Sequence, residues 1–223
     1  MATYKWWAQL KSQFNYDITI TTGNLVNSVN GPSRVNNLET FTYTVVFDHN
    51  DDCQFKTVTA TNCTCTYEGH IITISNVTGP VTLDVVGQYI PCNISLIYSG
   101  AGLYRQIYEA NFMYTDINGV ERDASWIDWD LEQKYPRIDI VVAKGTSVRC
   151  GADIYFYFGS SSRARAVYYN FQYPISPSET DTETWVLHLL PGQGDNNRHD
   201  FIQTLDKAFD GASFIASTYW VYE

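Results

Sequence analysis

Asp128, Asp130 and Glu132 alternate with Ile127, Trp129 and Leu131 in the stretch IDWDLE. On an extended strand the three carboxylates share one face, with neighbours about 6 to 7 Å apart. Glycoside hydrolysis uses two carboxylates flanking a bond, so this spacing admits a glycan-cleaving pair. A solvated outer face opposite an apolar inner one accounts for the same letters without chemistry, and is preferred. Asp48, Asn50 and Asp52 are spaced like the first ligands of a calcium loop. The glycine at the sixth position is absent and Thr59 stands where a bidentate Glu belongs, so an Asx-rich hairpin tip explains the triplet better. His49, Cys53, Cys63, Cys65 and His70 carry zinc-ligating atoms, but their spacing matches no zinc pattern. There is no Gly-x-Ser-x-Gly elbow, and GAGLYRQ lacks the third glycine and the lysine of a phosphate loop. No cofactor is expected.

Aromatic residues are the remaining chemical feature. Six Trp stand at positions 6, 7, 126, 129, 185 and 220. Trp and Tyr on a sheet face stack on sugar rings, and they also anchor protein interfaces. Core filling accounts for most of them. Tyr219, Trp220 and Tyr222 alternate imperfectly, so at least one of them is expected outside the core. Trp6, Trp7, Tyr219 and Trp220 are the candidates for contact with a partner.

These side chains must be positioned by strands. The chain is 44% hydrophobic and 15% aromatic, enough to fold around a core. Its alternating runs are dominated by Thr, Val, Ile and Tyr, types that suit a pleated, half-buried surface. Residues 1–17 read as a short arm: Trp6, Trp7, Leu10 and Phe14 share one helical face, or the Trp pair docks against a neighbouring subunit, or the arm folds back on its own core. From 18 to 87, five or six short strands with turn signals between them suggest a small sandwich. ETFTYTVVF places Phe41, Tyr43, Val45 and Phe47 opposite Thr40, Thr42 and Thr44. Residues 88–223 read as a second β-rich domain, with strands in PRIDIVVAKG, ADIYFYFG, RAVYYNFQY and TWVLHLL and a polar loop at SPSETDTE. One helix is expected near 199–210, where Phe201, Ile202, Leu205, Ala208 and Phe209 fit a helical face and Gly211 a stop signal.

The order GNLVNSVNG, ETFTYTVVF, FKTVTATNCTCTYEGHIITISNVTGPVTLDVV resembles the immunoglobulin-like (Big-type) module of bacterial surface proteins and phage virion proteins. Ile72, Ile74, Asn76, Val77, Thr78 and Gly79 carry the match, followed by a closing strand with Val81, Leu83 and Val85. The resemblance covers about a third of the chain and implies an immunoglobulin-like β-sandwich used for adhesion or structure, with no catalytic residues to carry over. Pro80 departs from it, at a place where such modules often have an acidic residue. A proline there requires an edge or the start of a strand.

The formal charge is −10, which argues against sequence-independent nucleic-acid binding. The one basic cluster, Arg163-Ala164-Arg165, is too short to change that. No apolar run approaches the ~18 residues of a membrane span. The first 17 residues lack the apolar region of a secretory signal, so synthesis in a cytoplasm, by a cell or an infecting virus, is expected. Five cysteines then read as reduced thiols, with Cys53 to Cys63 or Cys65 the alternative after release into an oxidising exterior. The Asn-x-Ser/Thr triplets at Asn62, Asn76 and Asn93 are attributed to chance.

Together these point to a non-enzymatic, mainly β phage virion structural protein. It would decorate a capsid or form part of a fibre or tail, docking to other virion proteins as a homo-oligomer or on a lattice. The rival is a receptor- or carbohydrate-binding module that holds a host surface glycan with exposed Trp and Tyr. A glycan-cleaving enzyme using Asp128 to Glu132 is the third reading.

Overall fold

The computed structural model describes residues 14–37, 39–100, 105–127, 137–158, 164–188 and 195–222. These form seventeen strands and no helix. The chain divides into two compact units, Met1–Ile90 and Pro91–Glu223, each with its own hydrophobic cluster.

The first unit contains β1 (Asn15–Thr22), β2 (Val26–Asn30), β3 (Arg34–Asn36), β4 (Phe41–Phe47), β5 (Cys53–Ala60), β6 (Thr64–Glu68), β7 (Ile71–Ser75) and β8 (Val81–Tyr89). They make two four-stranded sheets, ordered β3-β1-β8-β5 and β2-β4-β7-β6. Period-two alternation sets the inner faces. Tyr43, Val45 and Phe47 of β4, Ile72 and Ile74 of β7, and Val81, Leu83 and Val85 of β8 are all buried in one cluster, so the sheets form a sandwich. Tyr43 also donates its hydroxyl to the Pro32 carbonyl at 2.8 Å. Burial, with the nearby Cys63 second, pushes that hydroxyl up to about 12.

The segment before β8 is latched to the turn before β6. Asn62 and Asn76 both adopt left-handed backbone, with φ of 55° and 52°, a region Asn tolerates better than most residues. Thr78 N donates to Asn62 O at 2.9 Å, Asn62 Nδ2 to the Pro80 carbonyl at 2.6 Å, and Asn76 Nδ2 to Thr64 Oγ1 at 3.3 Å. Val77, between Asn76 and Thr78 in sequence, is buried. Pro80 stands immediately before β8, where a missing N–H is tolerated.

The second unit contains β9 (Pro91–Gly100), β10 (Arg105–Thr115), β11 (Glu121–Ile127), β12 (Arg137–Ala143), β13 (Val148–Phe158), β14 (Ala164–Ser176), β15 (Glu179–His188), β16 (Asp195–Leu205) and β17 (Ala212–Tyr222). Its sheets are β11-β10-β13-β16 and β12-β9-β17-β14-β15. Phe112 against Phe214 and Phe171 against Phe201, with ring centroids 6.3 and 5.3 Å apart, join the two sheets through one core.

Three expectations are corrected. The helix near 199–210 is absent: residues up to Leu205 belong to β16, and a bend and turn follow. Phe201 and Leu205 share a face at either period, so they do not discriminate. Ile202, which a helical face would bury, is 52% exposed, and Ala208 is held by backbone bonds with Gly145 and Thr146 instead. The polar loop at SPSETDTE is a turn at Pro177–Ser178 followed by β15, which pairs with β14 along its length. The last three residues of the 1–17 arm, Asn15 to Asp17, lie in β1 and pair with β3.

Candidate binding face

The outer face of the five-stranded sheet is built by the side chains opposite its core positions. Along β17, Phe214, Ala216 and Thr218 are buried while Ile215, Ser217 and Tyr219 point the other way. Register carries this face across neighbouring strands. Ile215 stands beside Gln172 and Ile97, Ser217 beside Asn170 and Ser99, and Tyr219 beside Tyr168. On the other side of β14, Gln172, Asn170 and Tyr168 meet Thr182, Thr184 and Val186.

The result is a set of rungs rich in neutral hydroxyls and amides, ending in an aromatic shelf. Thr184 Oγ1 donates to Asn170 Oδ1 at 2.9 Å. Tyr168 and Tyr219 stack nearly parallel, 4.7 Å between centroids and 4° between planes, and Tyr219 is 45% exposed. Charge enters this face at β12 and β9. There Ser95 donates to Asp139 at 2.6 Å, and Arg137 donates to both Asp139 and Ser95. The Ser95 hydroxyl first, then Arg137, holds the Asp139 carboxyl below its ordinary range.

The sequence candidates are dispersed. Trp6, Trp7, Asp128, Trp129, Asp130 and Glu132 lie outside the described residues. Trp220 turns away from Tyr219 and packs half-buried against the core, while Tyr222 is exposed. Trp185 also packs against the core and stacks on His199, 4.8 Å apart with planes 7° from parallel. Tyr168 was not singled out by sequence. Its local signal is the YY pair in β14, but its partner Tyr219 lies 51 residues away in sequence, beyond local periodicity.

Three of the metal candidates make contacts within the fold. Asn50 Oδ1 accepts the Phe47 N–H at 2.8 Å, capping the turn after β4. His49 stacks on Tyr89 and His70 meets Phe47 edge-on. Among the described residues, no three His, Cys, Asp or Glu side chains converge to hold a metal. No disulfide joins the five cysteines; burial raises the thiol pKa of Cys53, Cys63, Cys65 and Cys150, suppressing the reactive thiolate. The three glycosylation-like asparagines all use their side-chain amides in hydrogen bonds, Asn93 with Asp210.

The outer face of the other sheet has a shallow cavity of about 220 Å³. Gly151 forms its floor between Asn111 and Ile202, and the directly opposed Asp153 and Asp200 form an acidic side. No helix in the described residues is long and apolar enough to cross a membrane. No protein-family model matches the chain, and a search of curated proteins finds no match.

Proposed function

We propose that the chain is a non-enzymatic structural protein of a phage particle, a capsid decoration or a fibre or tail component that docks to other virion proteins. The observation that carries a docking role is the Tyr168–Tyr219 stack on a broad sheet face, with Tyr168 half-buried and Tyr219 exposed. Tyrosines anchor interfaces because they bring large contact area and a polar tip. The immunoglobulin-like reading of residues 18–87 belongs to this proposal. It draws support from two facing sheets, the β6–β7 hairpin and the braced Asn76–Pro80 segment leading into β8. Its particle context rests on the sequence resemblance. The expected result is that the chain co-purifies with intact particles and that Tyr219→Ala weakens attachment by about 2 kcal/mol, roughly 30-fold. Absence of the chain from purified particles would reject the virion reading.

The same face favours glycan binding as a second reading, because Ser217, Asn170 and Thr184 offer neutral hydrogen-bonding groups beside the tyrosines. Retention on a glycan array that disappears in Tyr219→Ala would support it. Glycan hydrolysis abolished by Asp128→Asn would overturn both.

A further inference from the structure

Among the described residues, the first strand of each unit lies parallel to the last strand of that unit, and both pairs occupy the interior of a sheet. In the first unit, Ile18–Thr22 runs beside Val81–Val85 in the same direction. In the second, Ile94–Gly100 of β9 runs beside Ala212–Thr218 of β17. The chain therefore enters each parallel pair at one end and leaves it at the other.

That geometry decides how tension acts. Pulling on the chain before Asn15 and after Tyr89 drives β1 and β8 in opposite directions along their own axes. Every hydrogen bond between them is loaded at once. An antiparallel pair entered and left at the same end would instead open one rung at a time. We propose that each unit is a force-bearing clamp whose parallel strand pair resists extension of the chain in shear.

Further contacts brace both pairs. Gly23 N donates to Val85 O at 2.8 Å, and Gly87 N to Asn24 O at 2.9 Å, beyond the last β1 rung. At the start of β9, both the backbone N–H and the amide of Asn93 donate to Asp210 Oδ1, at 2.8 and 3.0 Å, and Gly211 N donates to Asn93 O. On the core side, buried Leu83, Val85, Leu96 and Phe214 keep water from competing for the rungs. The clamp works whatever the chain is attached to, so it does not depend on the identity of the partner.

Single-molecule stretching of the full chain between terminal handles tests this. Extending Asn15–Tyr89 and Pro91–Tyr222 releases about 250 and about 450 Å of chain, so the two events are distinguishable. A peeling control carries the handles at Thr64 and Ser75, opposed at the open end of the β6–β7 hairpin. Terminal stretching is expected to break both units at higher force than peeling breaks the hairpin; equal forces would overturn the proposal. Ile18 N–H points to Ser33 and Gly23 N–H to Val85, so alternation aims the Thr21 N–H at β8. Thr21→Pro is expected to lower the force of the shorter event alone, while Thr21→Ala, which keeps the N–H, leaves it unchanged. A folded Thr21→Pro chain with an unchanged shorter event would also overturn it. Should Thr21→Pro not fold, the comparison of pulling geometries decides.

Discussion

Gly31 contributes by what it lacks. A Cβ built there lies 2.3 Å from Tyr43 Cδ1, and the ring is fully buried and tethered through its hydroxyl to Pro32. Gly31→Ala is expected to destabilise the first unit by about 1 to 3 kcal/mol, read from its urea midpoint. Tyr43→Phe loses one hydrogen bond and about 1 kcal/mol. The double variant is expected to lose less than the sum, because an untethered ring can yield to the new methyl. His199 supplies the pH dependence. Burial beside Trp185 and Phe201 lowers its pKa, and the weaker pull of Glu183 and Asp200 does not restore it. The unfolded chain therefore takes up the proton first, near its ordinary value of about 6.5. The stability is present above that pH and lost as pH falls through the lower folded-state pKa. Urea unfolding of the wild type is expected to weaken across that interval, and His199→Gln to flatten the slope. None of these contacts is legible in sequence: Gly31 and Tyr43 are twelve residues apart, and a glycine letter does not name the ring it admits.

At the scale of elements, β15 is a long edge strand protected by charge. Its Asp181 and Glu183 lie on the core-facing side, opposite Tyr173 and Phe171, where the Tyr173 hydroxyl and the Gln203 amide bind them. Inward charges on an edge strand discourage pairing with another chain. Asp181→Val with Glu183→Val is expected to increase self-association in light scattering; unchanged scattering would show that the charges do not guard this edge. The same charges hide the strand from a reading of composition, since ETDTE lacks apolar alternation and becomes a strand only through its pairing with β14. β16 shows the opposite ambiguity, because Phe201 and Leu205 satisfy both periods. Strands such as β4 and β12 are legible because their inner and outer residues differ sharply within a few positions.

For the whole molecule, two separate clusters predict separable responses. Leu83→Ala in the first and Phe214→Ala in the second should remove about 2 to 5 kcal/mol each. Hydrogen exchange is expected to show lost protection confined to the unit that carries the substitution. A mainly β chain is readable locally, through period-two patterning. Which strands neighbour one another is not, because β9 and β17 pair across more than a hundred residues. The tyrosine shelf shares that opacity, depending on β14 meeting β17. The position of β17 has a further consequence during synthesis. The last-made strand of each unit fills an interior place, β8 between β1 and β5 and β17 between β9 and β14. But β17 follows its partner β9 by more than a hundred residues, and β8 follows β1 by far fewer. At ribosomal speed, β9 waits on the order of ten seconds with one edge open. That interval is when a stray strand would compete most effectively for the place of β17.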